Sequence, residues 1–181
     1  SRSAIFYGKQ NMYQWIHQVE NLVCLGSPHH GAVLERVGFH LQDQLGRFPL
    51  VKIVGHVVNI RSNGILDLRY GSVRDDDWEH NDVRIGLMDD NRKPAPIPSH
   101  INTYLVAGTI EYEHRRNKTR HVIGDYFFSV KSALGEHPNA RYQLKVPDSH
   151  KAIFYGLNHF EIQHHPQVAE QIVHWFYPNN D

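Results

Sequence analysis

Apolar positions fall at helical spacing over residues 4–19, where Ile5, Met12, Ile16 and Val19 share one stripe and Trp15 lies beside it. Gly8 and Asn11 are the points at which such a helix would divide in two. Leu22-Val23-Cys24-Leu25 follows as an unbroken apolar run ending at Gly26. A run without alternation suits a strand covered on both faces, as in a parallel sheet. Ser27-Pro28-His29-His30-Gly31 then reads as a sharp loop. Residues 32–70 return to a helical pattern, with Leu34, Val37, Leu41 and Leu45 on one stripe and Leu50, Ile53, Val54, Val57 and Val58 on another. Pro49 suits the first turn of the second piece, and Ser62 caps a third short helix running to Tyr70.

Residues 71–100 turn polar, with acidic runs at 75–77 and 89–90 and prolines at 94, 96 and 98. They predict irregular surface loop, the acidic runs forming solvated faces. Thr103 to Gly108 reads as the next strand, and Tyr142 to Val146, which alternates weakly, as a third. Ile153-Phe154-Tyr155 is a short apolar run before Asn158-His159. The last helix opens at Pro166, buries Val168, Ile172, Trp175 and Phe176, and stops at Pro178. Strands separated by connections this long cannot form hairpins, so the pattern predicts an α/β fold of about three parallel strands with flanking helices. Chemistry in open parallel sheets gathers at the C-terminal ends of strands. His29 and Asp125 follow predicted strands and His159 precedes the last helix, which puts all three on one rim.

Composition narrows the classes of function. Lys+Arg and Asp+Glu balance at 19 each, which gives no reason to expect a nucleic-acid partner. No apolar run is long enough to span a bilayer. The single cysteine, Cys24, allows no disulfide within the chain. The 15 histidines raise the question of metal, but no His-Glu-x-x-His or zinc spacing occurs, so surface and helix-end histidines are expected and no metal or cofactor is predicted. Arg115, Arg116, Lys118 and Arg120 read as an exposed loop, with an anion patch as the alternative.

Two short stretches carry the chemistry: Gly124-Asp125 and Leu157-Asn158-His159. A serine hydrolase needs a base to take the nucleophile's proton and a carboxylate to orient that base, and the chain offers both. The Gly-x-Ser-x-Gly turn that would supply the serine does not occur. Other readings stand beside this one. Asp125 after glycine suits an ordinary turn, and Asp148 is a second candidate acid. His159 suits a helix cap; His164 and His165, flanking Pro166, mark a helix start. Glu161 is either a partner of the site or a first-turn carboxylate. His29 and His30 are pocket-edge or loop-shaping residues. Ser1 and Ser3 raise the N-terminal nucleophile hydrolases, whose layered antiparallel sheets this pattern does not match.

These residues carry a resemblance. Leu22 to Ala32, through Gly26-Ser27-Pro28-His29-His30-Gly31, resembles the strand and loop after the nucleophile helix in bacterial lipase-like α/β-hydrolases, nearest to the deacylases that process glycosylphosphatidylinositol anchors. Leu105-Val106-Ala107-Gly108-Thr109 is similar to that family's seventh strand. Gly124-Asp125 with Val130 and Ser132-Ala133-Leu134-Gly135 is similar to its acid loop, and Gly156-Leu157-Asn158-His159-Phe160-Glu161 to its histidine loop. Ser1-Arg2-Ser3-Ala4 is similar to the start of the helix that follows the nucleophile elbow. The chain departs from the family after the acid, where Tyr126, Phe127 and Phe128 stand in place of small residues.

The resemblance implies that residues 1–181 are the C-terminal part of an α/β-hydrolase domain, with 32–100 as a helical cap whose Phe39, Leu41, Leu45 and Phe48 either line an acyl pocket or pack on one another. It implies a carboxylic-ester hydrolase of lipase, esterase or deacylase type, with Asp125 as acid, His159 as base and the serine a few residues before Ser1. This segment by itself would then be inactive, and its first strand an aggregation-prone open edge. A small acyl ester or lipid is the implied partner, and membrane association would follow only from a lipid substrate. No protein partner or compartment is implied. The alternative is a non-catalytic ligand- or partner-binding module on the same scaffold.

Overall fold

The computed structural model describes residues 1–31, 71, 73–77, 92–111, 124–125 and 128–178. Helix α1 (Arg2–Gln10) leads into strand β1 (Asn21–Leu25). Strand β2 (Asn102–Thr109), the short helix α2 (Val130–Ala133), strand β3 (Lys151–Tyr155) and helix α3 (Pro166–Phe176) follow. The three strands form one parallel sheet in the order β1-β2-β3, with Cys24 opposite Leu105 and Val106 opposite Ala152. This is the α/β architecture that the apolar runs predict.

Strand β2 is buried from Thr103 to Thr109, as a central strand covered on both faces must be. Leu105 and Ala107 pack with Cys24 against Val130, Ala133 and Leu134 of the α2 region and against Leu144. Val106 points to the opposite face, onto Ile162 and Val168, where Ile172 and Trp175 of α3 close the layer. Among the described residues β1 pairs with β2 alone, and its Leu22, Val23 and Leu25 are half-buried.

Helix α1 is shorter than the stripe over 4–19 predicts. It ends at Gln10 in a Schellman motif: Met12 N–H donates to Lys9 O at 3.2 Å and Tyr13 N–H to Gly8 O at 2.9 Å. Met12 takes the left-handed conformation there (φ 54°) and is 83% exposed, so it leaves the apolar stripe. A 3₁₀ turn over Gln14–Gln18 returns Ile16 to the core beside Ile5 and Ile101. Gly8 does not break the helix. Its missing side chain makes room for Trp15, whose Cζ2 would lie 2.5 Å from a Cβ at that position.

Two further expectations need correction. Tyr142 to Val146 is not a strand: Tyr142, Leu144 and Val146 donate to Asn139, Gly135 and Leu144, all local partners. Leu144 is buried because it packs on Gly135 and α2, which mimics the alternation of a pleat. The third strand is β3, whose ladder partner is the C-terminal half of β2. Nor is the acidic run at 75–77 simply a solvated face. Asp77 is buried, its Oδ2 accepting from Val73 and Arg74 N–H and its Oδ1 from Lys93 N–H at 2.8 Å. Asp76 does lie outward, paired with Arg74 and Lys93 at 2.7 Å, and these charges hold its carboxyl down at about 2. Residues 92–98 and 73–74 are irregular as expected. The predicted helices of 32–70, the run 89–90 and the basic segment 115–120 lie outside the described residues. Among the described residues no helix is long and apolar enough to cross a membrane.

Candidate active site

The two loops singled out by the sequence meet at the C-terminal rim of the sheet. His159 Nδ1–H donates to Asp125 Oδ2 at 2.8 Å. Asp125 is 1% exposed, and its other oxygen, Oδ1, accepts from Phe128 N–H at 2.9 Å. The backbone adds a second tie, His159 N–H donating to Asp125 O at 3.2 Å. The His159 side chain is 20% exposed, so the ring passes from a buried partner toward the surface. With Nδ1 committed to the carboxylate, a neutral ring carries its lone pair on Nε2, the tautomer a general base requires. Phe128, the last of the three aromatics after the acid, is buried with its ring edge-on to His159 at 5.2 Å between centroids. Tyr126 and Phe127 lie outside the described residues.

Local chemistry sets each loop. After β3 the chain turns at Gly156 in the left-handed region (φ 73°), and Leu157 N–H donates to Thr109 O at 3.1 Å. Asn158 Oδ1 then accepts from Phe160 and Glu161 N–H at 2.9 and 3.1 Å, while Glu161 reaches back to Asn158 N–H at 2.8 Å. This reciprocal pair is a capping box on the 3₁₀ turn Glu161–Gln163, and it holds His159 inside the turn. On the acid side Gly124 O accepts from Ile110 N–H at 3.3 Å, tying the acid to the end of β2. Any side chain at Gly124 would collide with the Phe128 carbonyl.

Gly26 and Gly108 have a part in the site that a reading of the sequence does not give. Gly26 continues β1 with φ 60°, and a Cβ there would lie 2.9 Å from His159 Nδ1, 3.1 Å from Asp125 Oδ2 and 2.7 Å from Ile162 Cδ1. Gly108 leaves room for Leu157 O and Ile162 Cγ2, each 2.8 Å from the position of a Cβ. Together with Gly124 they clear the space in which the acid and the ring meet. The available signal was weak: Gly26 and Gly108 each end an apolar run, where glycine ordinarily means only a turn.

The other candidates separate from the pair. Asp148 precedes β3, at the opposite end of a parallel strand from His159, and its side chain is 97% exposed beside Lys151. His164 is exposed, and His165 is the N-cap residue of α3. Glu161 serves the capping box. His29 is buried, and its loop is tied to α2 by His29 N–H donating to Ser132 O and His30 N–H to Ser132 Oγ. Burial, with the charge of Arg2 behind it, pushes His29 down to about 3. The Cys24 thiol is pushed up by burial. Among the described residues no three His, Cys, Asp or Glu side chains gather to hold a metal.

No curated protein and no solved structure matches the chain significantly. A family model, the PGAP1-like alpha/beta domain, matches residues 1–137. The match takes in β1, β2, Asp125 and α2, and it ends before His159. The parallel sheet agrees with it, and the chain belongs to the family of PGAP1-like alpha/beta domains, an α/β-hydrolase-like domain.

Proposed function

We propose that this domain supplies the acid and the base of a serine carboxylic-ester hydrolase of lipase or deacylase type. The observation that carries the reading is the 2.8 Å bond from His159 Nδ1–H to a buried Asp125. In this reading His159 Nε2 takes the proton of a serine hydroxyl as its oxygen attacks the ester carbonyl. Asp125 holds the ring in its tautomer and stabilises the imidazolium. The imidazolium then protonates the departing alkoxide, and water, deprotonated by the same ring, hydrolyses the acyl-enzyme. The serine is taken from sequence preceding Ser1, since no Gly-x-Ser-x-Gly occurs within residues 1–181.

The test uses the full-length protein with short aryl esters. Asp125→Asn is expected to lower kcat by about 10⁴-fold with the fold retained, because the ring loses the anion that fixes its tautomer. Turnover within a few fold of wild type would remove Asp125 from the catalytic role. Absence of ester turnover and of serine labelling by a fluorophosphonate would favour the non-catalytic binding module instead.

A further inference from the structure

Ser132 of α2 is 4% exposed, and each of its polar groups is engaged. Its Oγ accepts from His30 N–H at 3.1 Å and donates to Gly31 O at 3.2 Å. Its carbonyl accepts from His29 N–H at 3.3 Å. One buried serine thus meets three consecutive residues of the loop after β1. Its own N–H donates at 3.2 Å to the Oγ of Ser129, the N-cap of α2.

Both ends of this network reach the Asp125–His159 pair. Ser129 follows Phe128, whose N–H donates to Asp125 Oδ1 at 2.9 Å and whose carbonyl accepts from Asp125 N–H at 3.2 Å. The loop on the other side begins at Gly26, where a Cβ would lie 2.9 Å from His159 Nδ1 and 3.1 Å from Asp125 Oδ2. The acid and the ring therefore meet between two segments that Ser132 ties together. Apolar packing does not fix how those segments slide. Val130, Ala133 and Leu134 lie on Cys24, Leu105 and Ala107, and burial of apolar surface is non-directional. Hydrogen bonds are directional and weaken steeply when bent. Helix α2 has four residues, too few to be stable on its own. Loss of the Ser132 hydroxyl would strand the His30 N–H and the Gly31 carbonyl, which makes the tie costly to break.

We propose that Ser132 is a positioning residue for the Asp125–His159 pair. It locks the acid loop to the loop after β1 and so sets where the carboxylate meets the ring. It acts through Asp125. Its effect on catalysis rests on the hydrolase reading above, so its test includes a readout that needs no turnover.

That readout is the pair of imidazole ¹⁵N shifts of His159 in the full-length protein, identified by their loss in His159→Gln. They report which ring nitrogen carries the proton. The wild-type ring is expected in the Nδ1–H tautomer, and Ser132→Ala is expected to show a mixture of both tautomers. Lys131→Gln, on the exposed side of α2, should leave the shifts unchanged. With short aryl esters, Ser132→Ala should lower kcat at least about tenfold and leave KM within about twofold, since a misplacement of about 1 Å costs up to about 10²-fold in rate. Where Ser132→Ala does not fold, Ser129→Ala takes its place: it removes the cap bond to Ser132 N–H, keeps the bonds to the loop, and should move the shifts less in the same direction. A lowered Tm with wild-type shifts would overturn the proposal and leave Ser132 a structural tie alone. Wild-type kcat in a protein that hydrolyses the esters would overturn it too. Displaced shifts in a protein whose wild type hydrolyses no ester would support the positioning role and remove the hydrolase reading.

Discussion

Asp125 and His29 are both removed from water, and opposite solutions keep them there. An ionised carboxylate in an apolar setting is costly unless hydrogen-bonded, and Asp125 has Phe128 N–H on one oxygen and the His159 ring on the other. His29 instead stays neutral: its basicity falls from the ordinary 6.5 to about 3 because burial and the Arg2 charge both disfavour a proton there. An unfolded chain protonates His29 near 6.5, whereas the folded one resists until about 3. Between those limits the unfolded state binds more protons, so stability falls as pH falls and is complete above 6.5. At about 1.4 kcal/mol per pH unit, the loss at pH 5 is roughly 2 kcal/mol. Urea unfolding at pH 7 and pH 5 should therefore separate wild type from His29→Gln, the variant losing less stability on acidification by about that amount. Equal losses in the two proteins would mean that His29 takes its proton in the folded state too.

At the scale of elements, His159, the proposed base, is held by a turn. The reciprocal bonds of Asn158 and Glu161 fix the short segment between β3 and α3, and Ile162, fully buried on Val106 and Val168, anchors it to the sheet. Asn158→Ala removes two acceptor bonds and nothing from the core. A capping residue of this kind contributes about 1 kcal/mol, within a range of roughly 0.5–2. The unfolding midpoint should drop accordingly. If His159 is the base proposed above, kcat of the full-length protein should fall more than KM rises, because the loosened turn misplaces the ring. A variant with wild-type stability and kcat would show that packing on Ile162 alone positions the ring. Helix α1 illustrates the same rule at its other end, where hydrogen bonds of the Schellman motif outweigh the cost of placing Met12 in a left-handed turn, about 1–2 kcal/mol.

For the whole molecule, the sheet sets a gradient of protection. Strand β2 is bonded on both sides and covered on both faces; β1 has one ladder among the described residues, and β3 is half-buried. Native-state hydrogen exchange should find the amides of Leu105 to Gly108 slowest, opening only with global unfolding. The β1 amides turned away from β2 should exchange many times faster. Equal protection on both sides of β1 would mean that another segment covers that edge. Legibility in the sequence follows the same gradient. Strands β1 and β2 were readable because burial on two faces demands an unbroken apolar run. Strand β3 carries the short run Ile153-Phe154-Tyr155 behind Lys151 and is only half-buried, and the alternation of Tyr142 to Val146 took its place as the third strand. The pair Asp125 and His159 was readable as residue types in recognisable loops, with a family resemblance behind them.

The sequence by itself determined the class of fold, the order of the strands' apolar runs and the two residues to bring together, because apolar runs and turn chemistry are local properties of the chain. Tertiary structure alone decided why Gly26, Gly108 and Gly124 must lack side chains, why Asp77 is buried and why Asp148 is out of reach. Each of those answers depends on atoms distant in sequence, a ring, a carbonyl or a strand end, that only the folded sheet brings within a few ångströms.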